Sequence, residues 1–215
     1  MLHIALPCHN RPALPRCALN AIRQTLSQPY RVWVVPNDDP LLQGEAFTPA
    51  QRGSYANGRK LDAVLAALPS DAGWLFAMHD DAAPLRPGWY EWLRERMGHR
   101  MMGGFHPLEG GPLPHPLGAL YSVPFLRDTR ASFTPTPGYD VGRGLVVPTS
   151  VFLAQAVPIP QRPWWLLQAD VAGDEDGRPL YAHLGGGVIG ATSRRLPTWA
   201  WPWLVRRHLR GTCRG

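Results

Sequence analysis

Short apolar runs that stop abruptly at polar clusters set the rhythm of this chain. Leu2–Pro7 runs into Cys8-His9-Asn10-Arg11-Pro12, and Val32-Trp33-Val34-Val35 into Pro36-Asn37-Asp38-Asp39-Pro40. Trp74–Met78 stops at His79-Asp80-Asp81. An unbroken apolar run of this length between turn residues predicts a buried strand. Between the runs the period changes. Leu14, Ala18, Ala21, Ile22 and Thr25 recur at helical spacing, as do Leu61, Val64, Leu65 and Leu68 within 58–68. Trp89, Trp92, Leu93 and Met97 mark a third helix. Strands alternating with helices and ending in polar loops predict an α/β fold built of βαβ units on a parallel sheet.

The second half is less regular. Residues 101–121 are rich in Gly and Pro, with no convincing element until Gly118–Val123. Asp140 could open a helix that Pro148 would limit. Trp164–Leu167 and Tyr181–Leu184 read as short strands around an exposed acidic turn, Asp174-Glu175-Asp176-Gly177. There is no internal repeat and no evident linker, so the expected organisation is one domain over 1–193 and a tail over 194–215.

Charge changes the picture only at that tail. The chain of 215 residues carries 22 basic and 16 acidic side chains. Residues 194–215 hold six arginines and no acid, so the remainder is balanced. Trp199, Trp201 and Trp203 precede Arg206, Arg207 and Arg210. Aromatic and basic residues interleaved in this way suit a polyanion: nucleic acid, where Arg meets phosphate and indoles stack on bases, or a membrane headgroup layer. The plainer reading is a helix that docks its tryptophans on the core and leaves its arginines solvated. Three cysteines without metal spacing, no secretory leader and no apolar run of membrane-spanning length lead to the expectation of a cytoplasmic protein.

The strand ends carry the candidate chemistry. Adjacent carboxylates at Asp80-Asp81 disfavour each other's ionisation. A hard divalent cation such as Mg²⁺ or Mn²⁺ relieves that repulsion. The bland reading is a solvated turn.

These residues together resemble a family. Ala5-Leu6-Pro7-Cys8-His9-Asn10-Arg11-Pro12, followed by Leu14, Ala18-Leu19 and Gln24-Thr25, resembles the opening of family 2 glycosyltransferases of the GT-A fold. Val34-Val35-Pro36-Asn37-Asp38 sits where that family's second strand ends. Trp74–Asp81, continuing into Pro87-Gly88-Trp89, is similar to its metal-binding Asp-x-Asp strand, with His79 in place of the first acid. Gly118-Ala119 and Arg127 fit the segment that returns after that strand. Tyr139-Asp140-Val141-Gly142 resembles the acidic motif on the acceptor side, and His183 before Gly185-Gly186-Gly187 the histidine that reaches the metal.

The resemblance implies a GT-A-like, mostly parallel sheet flanked by helices. It implies Asp81 and His183 as ligands of Mn²⁺ or Mg²⁺ and Asp140 as the base. Pro7, His9, Asn10, Arg11, Asn37, Asp38, Lys60 and Asp80 fall on the donor side, with Asp80 near the ribose or the metal. Trp199, Trp203, Arg206 and Arg207 fall on the acceptor side. Read without the family, Asp140 could cap a helix, His183 could be a packed core residue, and Lys60, the only lysine, could be a surface charge. The expected function is metal-dependent, inverting sugar transfer from a nucleotide sugar, most simply a uridine diphosphate sugar. The acceptor is polyanionic: DNA with a hydroxylated base, as for small bacteriophage enzymes, is placed ahead of a lipid-linked or surface glycan. No obligate protein partner is evident. The reading of another class is a GT-A-like module that binds nucleotide or nucleic acid without turnover.

Overall fold

The computed structural model describes residues 1–8, 13–43, 53–108, 113–136, 139–142, 145, 150–158, 161–162, 169–184 and 199–212. In chain order the elements are β1 (Leu2–Pro7), α1 (Ala13–Thr25), β2 (Tyr30–Val35), a 3₁₀ turn (Pro40–Leu42), α2 (Ser54–Ala67), β3 (Trp74–Met78), β4 (Ala82–Pro84) and α3 (Trp89–Met97). They continue with β5 (Met102–Gly104), β6 (Gly118–Ser122), α4 (Val123–Asp128), β7 (Val151–Leu153), β8 (Gln155–Ala156), β9 (Asp170–Gly173), β10 (Pro179–His183) and α5 (Trp201–Thr212). The chain forms two compact units, and the first boundary after β3 falls between His79 and Asp80.

The first unit comprises Met1–Asn10, Gln28–His79 and Met97–Leu153. Its six-stranded sheet has the order β2-β1-β3-β6-β5-β7. β1 pairs in parallel with β2 and β3, β5 in parallel with β7, and only β6 runs against its neighbours. Every residue of β1 is buried, as a strand covered on both faces requires. Ala5, Leu75 and Ala77 of the sheet pack with Leu61, Val64 and Leu65 of α2, and with Leu126 of α4, in one core.

One face of α2 organises the segment that follows α4. Ser54, Gly58 and Asp62 lie four residues apart, hence one above another. Asp62 accepts hydrogen bonds from the amides of Phe133 (2.7 Å) and Thr134 (3.1 Å) and from the hydroxyls of Ser132 (2.6 Å) and Thr134 (2.5 Å). A Cβ on Gly58 would stand 2.6 Å from the Phe133 carbonyl oxygen and from Thr134 Cα. The sequence pattern starts this helix at Gly58; Ser54 starts it one turn earlier because that turn carries the polar side chain rather than the apolar stripe.

The second unit comprises Arg11–Ser27, Asp80–Arg96 and Ala154–Gly215. Its four-stranded sheet has the order β4-β10-β9-β8, with β10 antiparallel to both neighbours. Leu14, Cys17 and Ala21 of α1 share a core with Ala83, Val171 and Ala182 of this sheet and with Trp201, Leu204, Val205 and Leu209 of α5. The plainer reading of the tail is therefore right for Trp201, which is fully buried, while Trp199 and Trp203 remain 78% and 55% exposed. Burial pushes the Cys17 thiol up to about 12.

Several sequence expectations need correction. β5 lies inside the Gly/Pro-rich stretch, where Gly103 and Gly104 are tightly covered and leave no side-chain pattern to read. Asp140 opens no helix among the described residues; Val141 and Gly142 form a turn. The strand expected at Trp164–Leu167 lies outside the described residues, and the partner of β10 is Asp170–Gly173. Among the described residues no helix is long and apolar enough to cross a membrane.

Replacing Gly58 with Ala gains about 1 kcal/mol of helix propensity but sets a methyl against two backbone atoms that cannot rotate away. Overpacking of this kind costs about 1–3 kcal/mol. Urea denaturation of Gly58→Ala is expected to show a net loss of stability of up to about 2 kcal/mol.

Candidate metal centre

Strand pairing brings Asp81 and His183 together. β10 lies against β4 with His183 opposite Ala82, and the Leu184 amide donates to the Asp81 carbonyl at 2.9 Å. On the other side of β10, His183 stands opposite Asp170 of β9. The imidazole thus lies between two carboxylates: Nε2 is 3.2 Å from Asp81 Oδ1, and Nδ1 is 3.5 Å from Asp170 Oδ2. Burial of the ring works against its charged form. The carboxylates of Asp170 and Asp81 outweigh that and push its pKa up to about 9.

The chemistry of this donor set fits a divalent cation. A carboxylate oxygen and an imidazole nitrogen suit Mn²⁺ better than Mg²⁺, which prefers oxygen alone. Asp170 completes a further pattern, in which a carboxylate takes one ring N–H of a ligating histidine and fixes its tautomer. The sequence reading misses Asp170. Asp80 is buried, while Asp81 is partly accessible.

The turn between β9 and β10 is held from inside. Asp174, read from sequence as part of an exposed turn, is buried. Its carboxylate accepts from the amides of Asp176 and Arg178 and meets Arg178 Nε at 2.9 Å and Arg86 at 3.1 Å. Burial alone would raise its pKa, but these donors and guanidinium charges hold it below the usual carboxylate range. Of the turn's acidic residues, only Glu175 and Asp176 face solvent.

In the first unit, the donor-side candidates gather at the ends of β1 and β2. Pro7 ends β1 opposite Val35. Lys60, read as a surface charge, is fully buried: its ammonium donates to the Cys8 carbonyl at 2.8 Å and to Asn37 Oδ1 at 2.7 Å. Both acceptors follow strands, and carboxyl ends of strands are where open α/β sheets receive ligands. Asp38 is exposed beside them. His9, Asn10 and Arg11 lie outside the described residues.

Asp140 also belongs to the first unit. Its carboxylate accepts from the Ser54 hydroxyl (2.5 Å), His115 Nε2 (2.9 Å) and the Val141 amide (2.8 Å). Burial opposes its ionisation, yet His115 and Ser54 outweigh burial and hold its pKa far below the usual carboxylate range. Ser54 and His115 are absent from the sequence reading, because nothing in local spacing joins them to Asp140. On the second unit, Trp199, Trp203, Arg206 and Arg207 are all exposed, with the Arg207 guanidinium 5.4 Å from the centre of the Trp203 ring.

Two outcomes follow from the pKa of His183. In the metal-free protein its proton stabilises the fold fully below the unfolded value, about 6.5, and that contribution is lost as pH rises through about 9. A metal needs the neutral ring, so apparent Mn²⁺ affinity is expected to rise roughly tenfold per pH unit between about 6.5 and 8.5. Calorimetric titration across that range checks it, and a flat profile removes His183 from the ligand set.

No protein-family model matches the chain, and no curated protein matches it. Among solved structures it is similar to the mannosyltransferase PcManGT from Pyrobaculum calidifontis in complex with GDP-Man and Mn²⁺, at 15% identity over 78% of this chain and 59% of that one, with a TM-score of 0.50. The galactosyltransferase LgtC in complex with donor and acceptor sugar analogues matches at 11% identity, over 98% of this chain and 96% of that one, with a TM-score of 0.49. S. aureus TarS in complex with UDP-GlcNAc matches at 12% identity over 61% of this chain, with a TM-score of 0.43; the chain spans 48% of that structure's length. At such identities the likeness speaks for architecture: the chain has the GT-A-like α/β fold of glycosyltransferases, the fold of the P. calidifontis enzyme.

Proposed function

We propose that this chain is a metal-dependent glycosyltransferase that moves a sugar from a nucleoside diphosphate sugar to an acceptor hydroxyl. The observation that carries the reading is the approach of Asp81, just before β4, and His183, the last residue of β10, to 3.2 Å in a chain of this fold. Asp81 and His183 would hold Mn²⁺ or Mg²⁺, and Asp170 would keep the proton on the far nitrogen of His183. The cation would neutralise charge developing on the departing diphosphate.

The donor side rests on the ends of β1 and β2. Lys60 ties the Cys8 carbonyl to the Asn37 side chain, so it shapes this edge from within rather than reaching a phosphate. Pro7, Asn37 and Asp38 line the same strand ends, and the resemblance adds His9, Asn10 and Arg11. Asp80 takes the ribose side. Uridine is the base assigned to the donor, and direct displacement with inversion the stereochemical course.

The acceptor side is assigned to α5 and the turn before it. Trp199 and Trp203 are exposed apolar surface, and Arg206 lines a cleft of about 210 Å³ with Arg16, Asn20 and Gln24. Planar guanidinium forks match phosphate, and exposed indoles stack on unpaired bases. DNA bearing a hydroxylated base is the leading acceptor, and a lipid-linked or surface glycan the alternative. Binding to DNA that falls steeply with salt supports the former; salt-insensitive binding sinks it.

A thermal-shift panel of uridine and guanosine diphosphate sugars, with and without Mn²⁺, tests the donor and the metal together. At a ligand concentration one hundred times Kd, the gain of about 2.7 kcal/mol corresponds to roughly 5–10 °C. Asp81→Ala is expected to abolish the metal-dependent part of the shift and any turnover. Shifts without transfer to any acceptor would favour the non-catalytic module.

A further inference from the structure

We propose that the cleft between α1 and α5 seats a backbone phosphate of single-stranded nucleic acid between Arg16 and Arg206, while Trp203 stacks a neighbouring base. The inference deepens the assignment of α5 to the acceptor side and rests on it. Every residue involved belongs to the second unit.

The spacing of α1 builds the cleft. Ala13, Cys17 and Ala21 recur every four residues and form one row along the helix; Arg16, Asn20 and Gln24 form the row beside it. The row of small side chains leaves a space of about 210 Å³, which Val205 and Leu209 of α5 line from the other side. Cys17, Val205 and Leu209 are buried, whereas Arg16, Gln24 and Arg206 are exposed at the mouth. An apolar floor under a guanidinium-lined mouth matches the two parts of a sugar–phosphate chain, the carbon face of a sugar and the charged oxygens. Two planar forks can share the oxygens of one phosphate, and the side-chain amides of Asn20 and Gln24 are further donors.

The helices that carry this charge do not neutralise it: neither α1 nor α5 contains an acid. Elsewhere in the second unit, Asp174 binds Arg86 and Arg178, and Glu175 binds Arg96. Arg16 and Arg206 form no ion pair among the described residues. Trp203, Arg206, Arg207 and Arg210 share the exposed face of α5 at helical spacing. The Arg207 guanidinium lies over the Trp203 ring, and the residue is still 55% exposed. A base of a single strand can stack on that indole, whereas a duplex keeps its bases stacked on one another. A membrane surface fits this face less well. A helix in the headgroup layer buries its apolar side there, but Trp201, Leu204, Val205 and Leu209 of α5 are already buried in the core.

Fluorescence anisotropy of a labelled single-stranded oligothymidylate, titrated with the full chain across a salt series, tests this without reference to turnover. The double variant Arg16→Ala/Arg206→Ala is expected to weaken binding and to flatten the slope of log affinity against log salt by about 0.7, the share of one phosphate on a single strand. Trp203→Ala is expected to weaken binding about 5–150-fold at an unchanged slope, as loss of one stacked base does, and Trp203→Phe to recover most of that loss. Arg23→Ala removes the same charge from an exposed position of α1 outside the cleft and is expected to leave the slope as it is. An unchanged slope in the double variant, or an equal flattening in Arg23→Ala, overturns the proposal and leaves nucleic acid as the acceptor. If the wild-type chain binds no oligonucleotide at low salt, the acceptor reading falls as well, and binding to phosphatidylglycerol vesicles in its place assigns the face to a lipid.

Discussion

One hydrogen bond does more than any other to make a site here: the Leu184 amide to the Asp81 carbonyl, at the end of the pairing between β4 and β10. It sets the register in which Asp81 and His183 meet, and β9 on the far side supplies Asp170 in the same row. Cross-strand neighbours share a face only in the correct register, since a slip of one residue turns every side chain over. The buried carboxylate of Asp174 guards that register from the turn, by gripping the amides of Asp176 and Arg178 and the guanidinium groups of Arg86 and Arg178. A buried carboxylate is costly unless its oxygens are satisfied. Here satisfaction comes from the backbone whose shape it must hold, so the electrostatic and conformational demands coincide.

The first unit uses a helix for the same end. Ser54, Gly58 and Asp62 make α2 a ruler against which the chain after α4 is laid. Asp62 binds 132–134, the bare Cα of Gly58 lets that backbone come close, and Ser54 receives Asp140. Polar groups that sit poorly in mid-helix thereby gain a tertiary purpose, and the amphipathic stripe of Leu61, Val64 and Leu65 is left free to cover the sheet.

Much of the first half was legible because its physics is local. β3 and α3 begin and end where the pattern predicted, since an apolar run flanked by turn residues has few other solutions. The encounter of Asp81 with His183 was accessible only through family resemblance. Asp170 could not be found by counting back around the hairpin. An irregularity between Pro179 and Tyr181 shifts the pairing by one residue, so even counting would have set it opposite Ala182. Lys60 was misread for a related reason: a single cation in a helix pattern looks solvated until the ends of two distant strands supply its acceptors. Ser54, His115 and Asp140 come from three segments that no periodicity connects.

The burial of Lys60 has a consequence for the outer surface. Because it is the only lysine, every permanently cationic side chain facing solvent is a guanidinium. Guanidinium groups keep their proton beyond pH 12, whereas an ammonium begins to lose its own near pH 10. The positive field around α5 is therefore carried by guanidinium groups alone, and ionic strength is the dial that weakens it.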